Sequence, residues 1–115
     1  MSYMLLIIEP QGQRSGRTAE EGEDLYQRML DYAQKLQSRG VLLGTNSLRG
    51  ESVRLQRRAG KSRFVDGPFT EAKEFIGGYF LLDCGSLGEA RACAEECPAA
   101  DWATIEIREV GPCYT

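Results

Sequence analysis

Hydrophobic residues fall along this chain in two periods, and each period marks an element. Tyr3 to Ile8 is apolar at nearly every position, which predicts a strand covered on both faces. Glu9 to Arg17 holds Pro10, Gly12 and Gly16, a loop composition. Leu25, Met29, Tyr32, Ala33 and Leu36 then recur at the spacing of one helical stripe. Thr18-Ala19-Glu20-Glu21 ahead of the stripe fits a capping box, with Glu21 reaching back to the cap. The acidic residues Glu20, Glu21, Glu23 and Asp24 suit the positive end of the helix dipole. Gly40 supplies a left-handed C-cap.

The rest of the chain alternates short strands with one more helix. Val41 to Leu48 predicts a strand interrupted by Gly44 and Asn46. Ser52 to Arg57 places Val53 and Leu55 on one side and Arg54 and Gln56 on the other. It forms a hairpin with Arg63 to Val65 across Ala59-Gly60-Lys61-Ser62. Asp66-Gly67-Pro68 predicts a turn, and the charged run Glu71, Lys73, Glu74 after it reads as a solvated turn of helix. Tyr79 to Leu82 is a strand apolar on both sides. Ser86 to Glu89 repeats the capping-box pattern. Leu87, Ala90, Ala94 and Cys97 form the stripe of a helix ended by Pro98. Thr104 to Val110 is the last strand, and Trp102 is expected to pack near it.

These elements, in βαββαβ order with an additional β-hairpin, predict an α+β fold, a ferredoxin-like sandwich in one domain, 1–115. Two helices cover one face of the sheet, yet Tyr3–Ile8 and Tyr79–Leu82 are apolar on both. A third layer does not fit in 115 residues, so a homodimer through the open sheet face is expected.

Charge narrows the partners. Fourteen basic against seventeen acidic residues leave a net charge of −3, against nucleic acid as a partner. The local cluster of Arg49, Arg54, Arg57, Arg58, Lys61 and Arg63 reads as a solvated edge that resists sheet pairing, with an anionic ligand as the sharper alternative. No segment suits a membrane span or an export signal, so a cytoplasmic protein is expected. The four cysteines show no CxxC spacing and the chain has no histidine, so no metal site is predicted. Cys93 and Cys97 share a helix face and read as reduced, partly buried thiols. No cofactor is predicted, since the glycine-rich phosphate patterns are absent.

Chemistry is sought in the stretch from Arg63 to Asp83. Asp66 is the candidate catalytic carboxylate, a general base at the mouth of a cleft. Its structural alternative is an Asx-type turn that fixes the Gly67-Pro68 corner. Arg63, Asp66, Glu71, Lys73 and Tyr79 are the candidate ligand-binding residues. Against them stand surface pairing for Arg63, a solvated run for Glu71 and Lys73, and core or dimer packing for Tyr79. Gly77-Gly78 suits close ligand approach or a β-bulge. Without histidine, no Ser–His or Cys–His nucleophile can be assembled.

Asp66-Gly67-Pro68-Phe69, then Glu71, Lys73, Glu74 and Gly77-Gly78-Tyr79, resembles the DGPF signature of the YCII-related protein family. Tyr3-Met4-Leu5-Leu6-Ile7, Gly40-Val41-Leu42 and Ile105-Glu106-Ile107-Arg108 extend the resemblance over nearly the whole chain. It implies a dimer of the α+β-barrel type. It also implies a regulatory setting, because genes of the family often adjoin those of extracytoplasmic-function sigma factors. Some relatives are thought to use a His–Asp pair, and a few are enzymes such as dehydrochlorinases. This chain has no histidine, so that imidazole has no counterpart here, and what carries over is the signature itself, with Asp66 as its acidic member. The expectation is a non-catalytic dimeric module that binds a small molecule or serves regulation. The alternative is a small cleft enzyme, an isomerase or a lyase of the dehydrochlorinase type, with Asp66 as base.

Overall fold

Local signals set the element boundaries in the computed structural model, which describes residues 1–67, 69 and 71–114. The first strand, β1 (Ser2–Pro10), is followed by helix α1 (Ala19–Ser38). Thr18 caps α1 by accepting from the Glu21 amide at 3.1 Å. Its hydroxyl donates to Glu21 Oε1, so the carboxylate returns to the cap's side chain. At the far end Gly40 has φ +74°. The Val41 and Gly40 amides donate to the Leu36 and Gln37 carbonyls, the two bonds of a Schellman motif.

Strand β2 (Leu42–Ser47) leads to the hairpin β3 (Val53–Arg58) and β4 (Lys61–Asp66). The hairpin turns on two residues, Ala59 and Gly60, both at positive φ, so Lys61 and Ser62 belong to β4 rather than to the turn. Strand β5 (Glu74–Asp83) starts five residues earlier than its apolar run suggests. Residues 71–73 form a turn and bends in place of the expected helical turn. Helix α2 (Leu87–Glu95) and strand β6 (Thr104–Glu109) complete the chain. Ser86 caps α2, while Glu89 reaches back to the Gly85 amide at 2.7 Å. Leu87 departs from the predicted stripe: it is 51% exposed, whereas Ala90, Ala94 and Cys97 are buried.

The main sheet has the order β2-β5-β1-β6, with antiparallel pairing throughout. This is the ferredoxin-like α+β arrangement, with β3–β4 as a separate two-stranded sheet. The four strands are not closed into a barrel. One face carries the core: Tyr3, Leu5 and Ile7 of β1 and Phe80 and Leu82 of β5, under Tyr32, Leu36, Ala90 and Ala94 of the helices. Tyr32 meets Phe80 edge to face at 5.1 Å and donates to the Cys93 carbonyl at 2.6 Å, which ties α1 to α2. Desolvation raises the pKa of the buried Cys84 and Cys97 thiols to about 11. On the opposite face Met4, Leu6, Ile8 and Leu81 are half-buried with nothing from this chain's helices above them. Among the described residues no helix is long and apolar enough to cross a membrane.

Candidate functional site

Small residues on both sides of the helix–sheet interface decide where the core stops. The stripe of α1 is fully buried at Tyr32 and Leu36 but only partly at Leu25 and Met29. Opposite the first turns of α1, with Ala19 and Gly22, the sheet presents Gly77 and Gly78. The register gives the reason for that pair. Ile7 pairs with Gly78 and Ile8 with Ile76, so Gly77 is the extra residue of a β-bulge in β5. With glycine and alanine on both walls, the space between them is not filled. A cavity of about 500 Å³ remains, within the usual range for small-molecule sites.

The walls are mostly apolar: Leu25, Tyr26 and Met29 from α1, Ile7 and Phe80 from the sheet, and Ala99 and Trp102 beyond α2. Tyr26 and Leu30 are among the exposed large hydrophobics, and we assign them to the mouth. Glu9 enters from the end of β1. It continues the inward-facing parity of Tyr3, Leu5 and Ile7, and it is only 5% exposed.

Arg14 holds that carboxylate in place. Its Nε donates to Glu9 Oε1 at 2.9 Å and its Nη2 to Oε2 at 2.5 Å, a bidentate pair. Nη1 donates to the Leu48 carbonyl at 2.7 Å and Nη2 also to the Gly77 carbonyl at 3.2 Å. One guanidinium therefore joins the end of β1, the residue after β2 and the bulge of β5, and it lies 5.1 Å from the centre of the Phe75 ring. Gly77 is required here, because a Cβ at that position would lie 1.4 Å from Glu9 Oε2. The loop after β1 is anchored from the other side by Gln13, whose Nε2 donates to the Trp102 carbonyl at 2.7 Å.

The candidates chosen from the sequence are distributed differently. Asp66 is exposed at the end of β4, does not line the cavity, and its carboxylate has no hydrogen-bond partner among the described residues. Beyond it the Gly67 amide donates to the Ser52 carbonyl at 2.6 Å, which extends the β3–β4 pairing past Val53 and Asp66. The expected Asx-type bond is therefore not made to any described residue; Pro68 lies outside them. Arg63, Glu71 and Lys73 are exposed, outside the cavity lining, and without ion pairs among the described residues. Tyr79 borders the cavity. Its neighbour Phe80 faces the core, so strand alternation turns the Tyr79 ring to the open face, where its hydroxyl accepts from Asn46 Nδ2 at 2.8 Å. The structure thus joins Tyr79 to Gly77 and Gly78, and leaves Asp66, Arg63, Glu71 and Lys73 outside.

Sequence reasoning missed Glu9, Arg14 and Arg17. One signal was present: Glu9 stands two residues beyond Ile7, on the face that Tyr3, Leu5 and Ile7 share. Among the described residues no group of three His, Cys, Asp or Glu side chains could hold a metal ion.

Comparison with known proteins gives three results. The family model for the YCII-related domain matches residues 1–113. An uncharacterised protein of Rhizobium meliloti (strain 1021) is 32% identical over 116 residues, covering 94% of this chain and 90% of the relative. A solved structure of 5-chloro-2-hydroxyhydroquinone dehydrochlorinase from Burkholderia phenoliruptrix, in complex with 2,5-dihydroxybenzoquinone, is similar with a TM-score of 0.56. Its identity is 15%, and the match covers 96% of this chain and 94% of that one, a likeness of fold.

Proposed function

Because this chain belongs to the YCII-related family, we propose that it works as a non-catalytic dimeric module whose small-molecule ligand occupies the cavity between α1 and the sheet. The observation that carries this reading is the cavity itself. It is apolar over most of its wall and ends at a fixed, buried carboxylate. That is the composition of a pocket that encloses a ring and orients it by one polar contact. The dimer rests on the half-buried apolar strip of Met4, Leu6, Ile8 and Leu81, which a second copy of the same sheet would cover. With Cys84, Cys93, Cys97 and Cys113 all unpaired, the reducing cytoplasm is the compartment that goes with this reading.

Gly22 offers the test. It lines the cavity, and a Cβ added to it meets nothing within 4 Å, so the backbone there accepts a side chain and Gly22→Leu is the substitution chosen to narrow the cavity. In ligand-observed NMR with a library of small ring compounds, wild-type protein gives binders and Gly22→Leu loses them while keeping its fold. Binders that persist undiminished in Gly22→Leu would show that the ligand lies elsewhere.

The enzyme alternative is favoured by one observation, a carboxylate inside the cavity. On that reading the working group is Glu9 and not Asp66, and the chemistry is that of the dehydrochlorinase whose fold this chain shares. Chloride release from 5-chloro-2-hydroxyhydroquinone decides between the two. The binding-module reading predicts none above the uncatalysed rate; turnover that disappears in Glu9→Gln would replace it with the enzyme.

A further inference from the structure

The cavity is lined by two arginines in different states, and the difference specifies a ligand class. Arg14 makes four hydrogen bonds through its guanidinium, two to Glu9 and two to the carbonyls of Leu48 and Gly77. A guanidinium has five N–H donors, so Arg14 is nearly saturated and its charge is cancelled by Glu9. An arriving anion could win it only by displacing that carboxylate. Arg17 also lines the cavity and is partly buried. Its guanidinium makes no hydrogen bond or ion pair among the described residues. The nearest acidic side chains in sequence, Glu20 and Glu21, are outside the lining, and Glu21 is engaged by the Thr18 hydroxyl. The charge of the cavity is therefore that of Arg17, positive, in a chain of net charge −3.

Glu9 has the complementary property. Its oxygens each accept one bond from Arg14, and a carboxylate oxygen has capacity for a second. Facing a cavity, that capacity selects a donor on the ligand and rejects a second anion.

Resting on the cavity as the binding site, we propose that its ligand is a small acid with an apolar body, its anionic group held by Arg17 and a hydroxyl or amine donor held by Glu9. Arg17 binds in this arrangement, Glu9 orients, and Arg14 positions Glu9 without touching the ligand.

Three probes of one size separate the contributions: 4-hydroxybenzoate carries acid and donor, benzoate the acid alone, phenol the donor alone. Each is titrated by NMR or calorimetry into the full chain, as wild type, Arg17→Gln and Arg17→Lys, with a thermal melt to establish that the variants fold. The expected order of affinity in wild type is 4-hydroxybenzoate, then benzoate, then phenol. Loss of a charge-assisted bond weakens both acids by about tenfold in Arg17→Gln, phenol is unchanged, and Arg17→Lys retains most of the acid affinity. Added salt weakens the acids and spares phenol. Phenol binding as tightly as the acids, or acids that keep their affinity in Arg17→Gln, overturns the acid assignment and leaves the cavity reading standing. If none of the three binds wild type, both are overturned.

Discussion

Glu9 and Gly77 form a pair in which each residue explains the other. A carboxylate on the inward face of β1 costs desolvation unless it is paired and hydrogen-bonded, and Arg14 supplies both from the following loop. The carboxylate then lies where the side chain of β5 would be, so only glycine fits opposite. Gly77→Ala, with its Cβ 1.4 Å from Glu9 Oε2, must push Glu9 off Arg14 or distort the bulge. The expected loss is about 1–3 kcal/mol in urea unfolding, with ligand binding lost as well. Gly22→Ala, in open space on a helix, should instead gain about 0.5–1 kcal/mol. Equal effects of the two would show that Gly77 is not under this constraint. Little of this was legible in the sequence. Tyr3 to Ile8 is apolar on both faces, so the inward parity that would have picked out Glu9 emerges only once α1 is seen to lie on the odd-numbered side. The DGPF motif drew attention to Asp66 because it concentrates turn formers and charges, yet Asp66 ends β4 exposed and Gly67 continues the strand pairing through a backbone bond to Ser52.

Elements were legible where their signals are local. Thr18, Ser86 and Gly40 cap as their spacing predicts, because a cap needs only its own turn of helix. The start of β5 was not, since Glu74 becomes strand by pairing with Pro10, a contact that charges and glycines in the sequence argue against. The exposure of Leu87 belongs with this: a short helix buries only the part of its stripe that the sheet reaches. At the ends of the two helices, Glu96 accepts from Arg39 Nη1 at 2.5 Å and Nη2 at 3.0 Å and lies 3.2 Å from Lys35 Nζ. The hydrogen bonds of Arg39, then those of Lys35, lower the Glu96 pKa from 4.5 to about 2. A lowered carboxylate pKa stabilises the fold above the unfolded value, and that contribution is lost as pH falls through the folded one. The melting temperature of wild type should therefore exceed that of Glu96→Gln at pH 6. The gap should narrow between pH 4.5 and 2. A gap that does not change over that window would contradict the coupling.

For the whole molecule, the sheet order followed from the order of elements, because βαββαβ connections of these lengths have few alternatives. The cavity did not, because it depends on Ala19 and Gly22 of α1 coming opposite Gly77 and Gly78 of β5, residues more than fifty positions apart. The hairpin also needs the whole molecule. Val53, Leu55 and Phe64 share one of its faces and are all exposed, Phe64 at 69%, and an isolated two-stranded sheet is marginal in water. The open face of the main sheet gives a direct prediction for assembly. Light scattering at micromolar concentration should return twice the chain mass for wild type and the chain mass for Leu6→Arg; a monomeric wild type would remove the dimer from this account.

The central claim is that the site lies between α1 and the bulge of β5, and amide chemical-shift mapping with 4-hydroxybenzoate tests it most directly. The account predicts saturable shifts at Glu9, Arg17, Gly22, Gly77 and Gly78 and at the Trp102 indole, with Asp66 and Lys73 unmoved. Shifts centred on Asp66 and the β3–β4 hairpin, with the cavity residues silent, would contradict it.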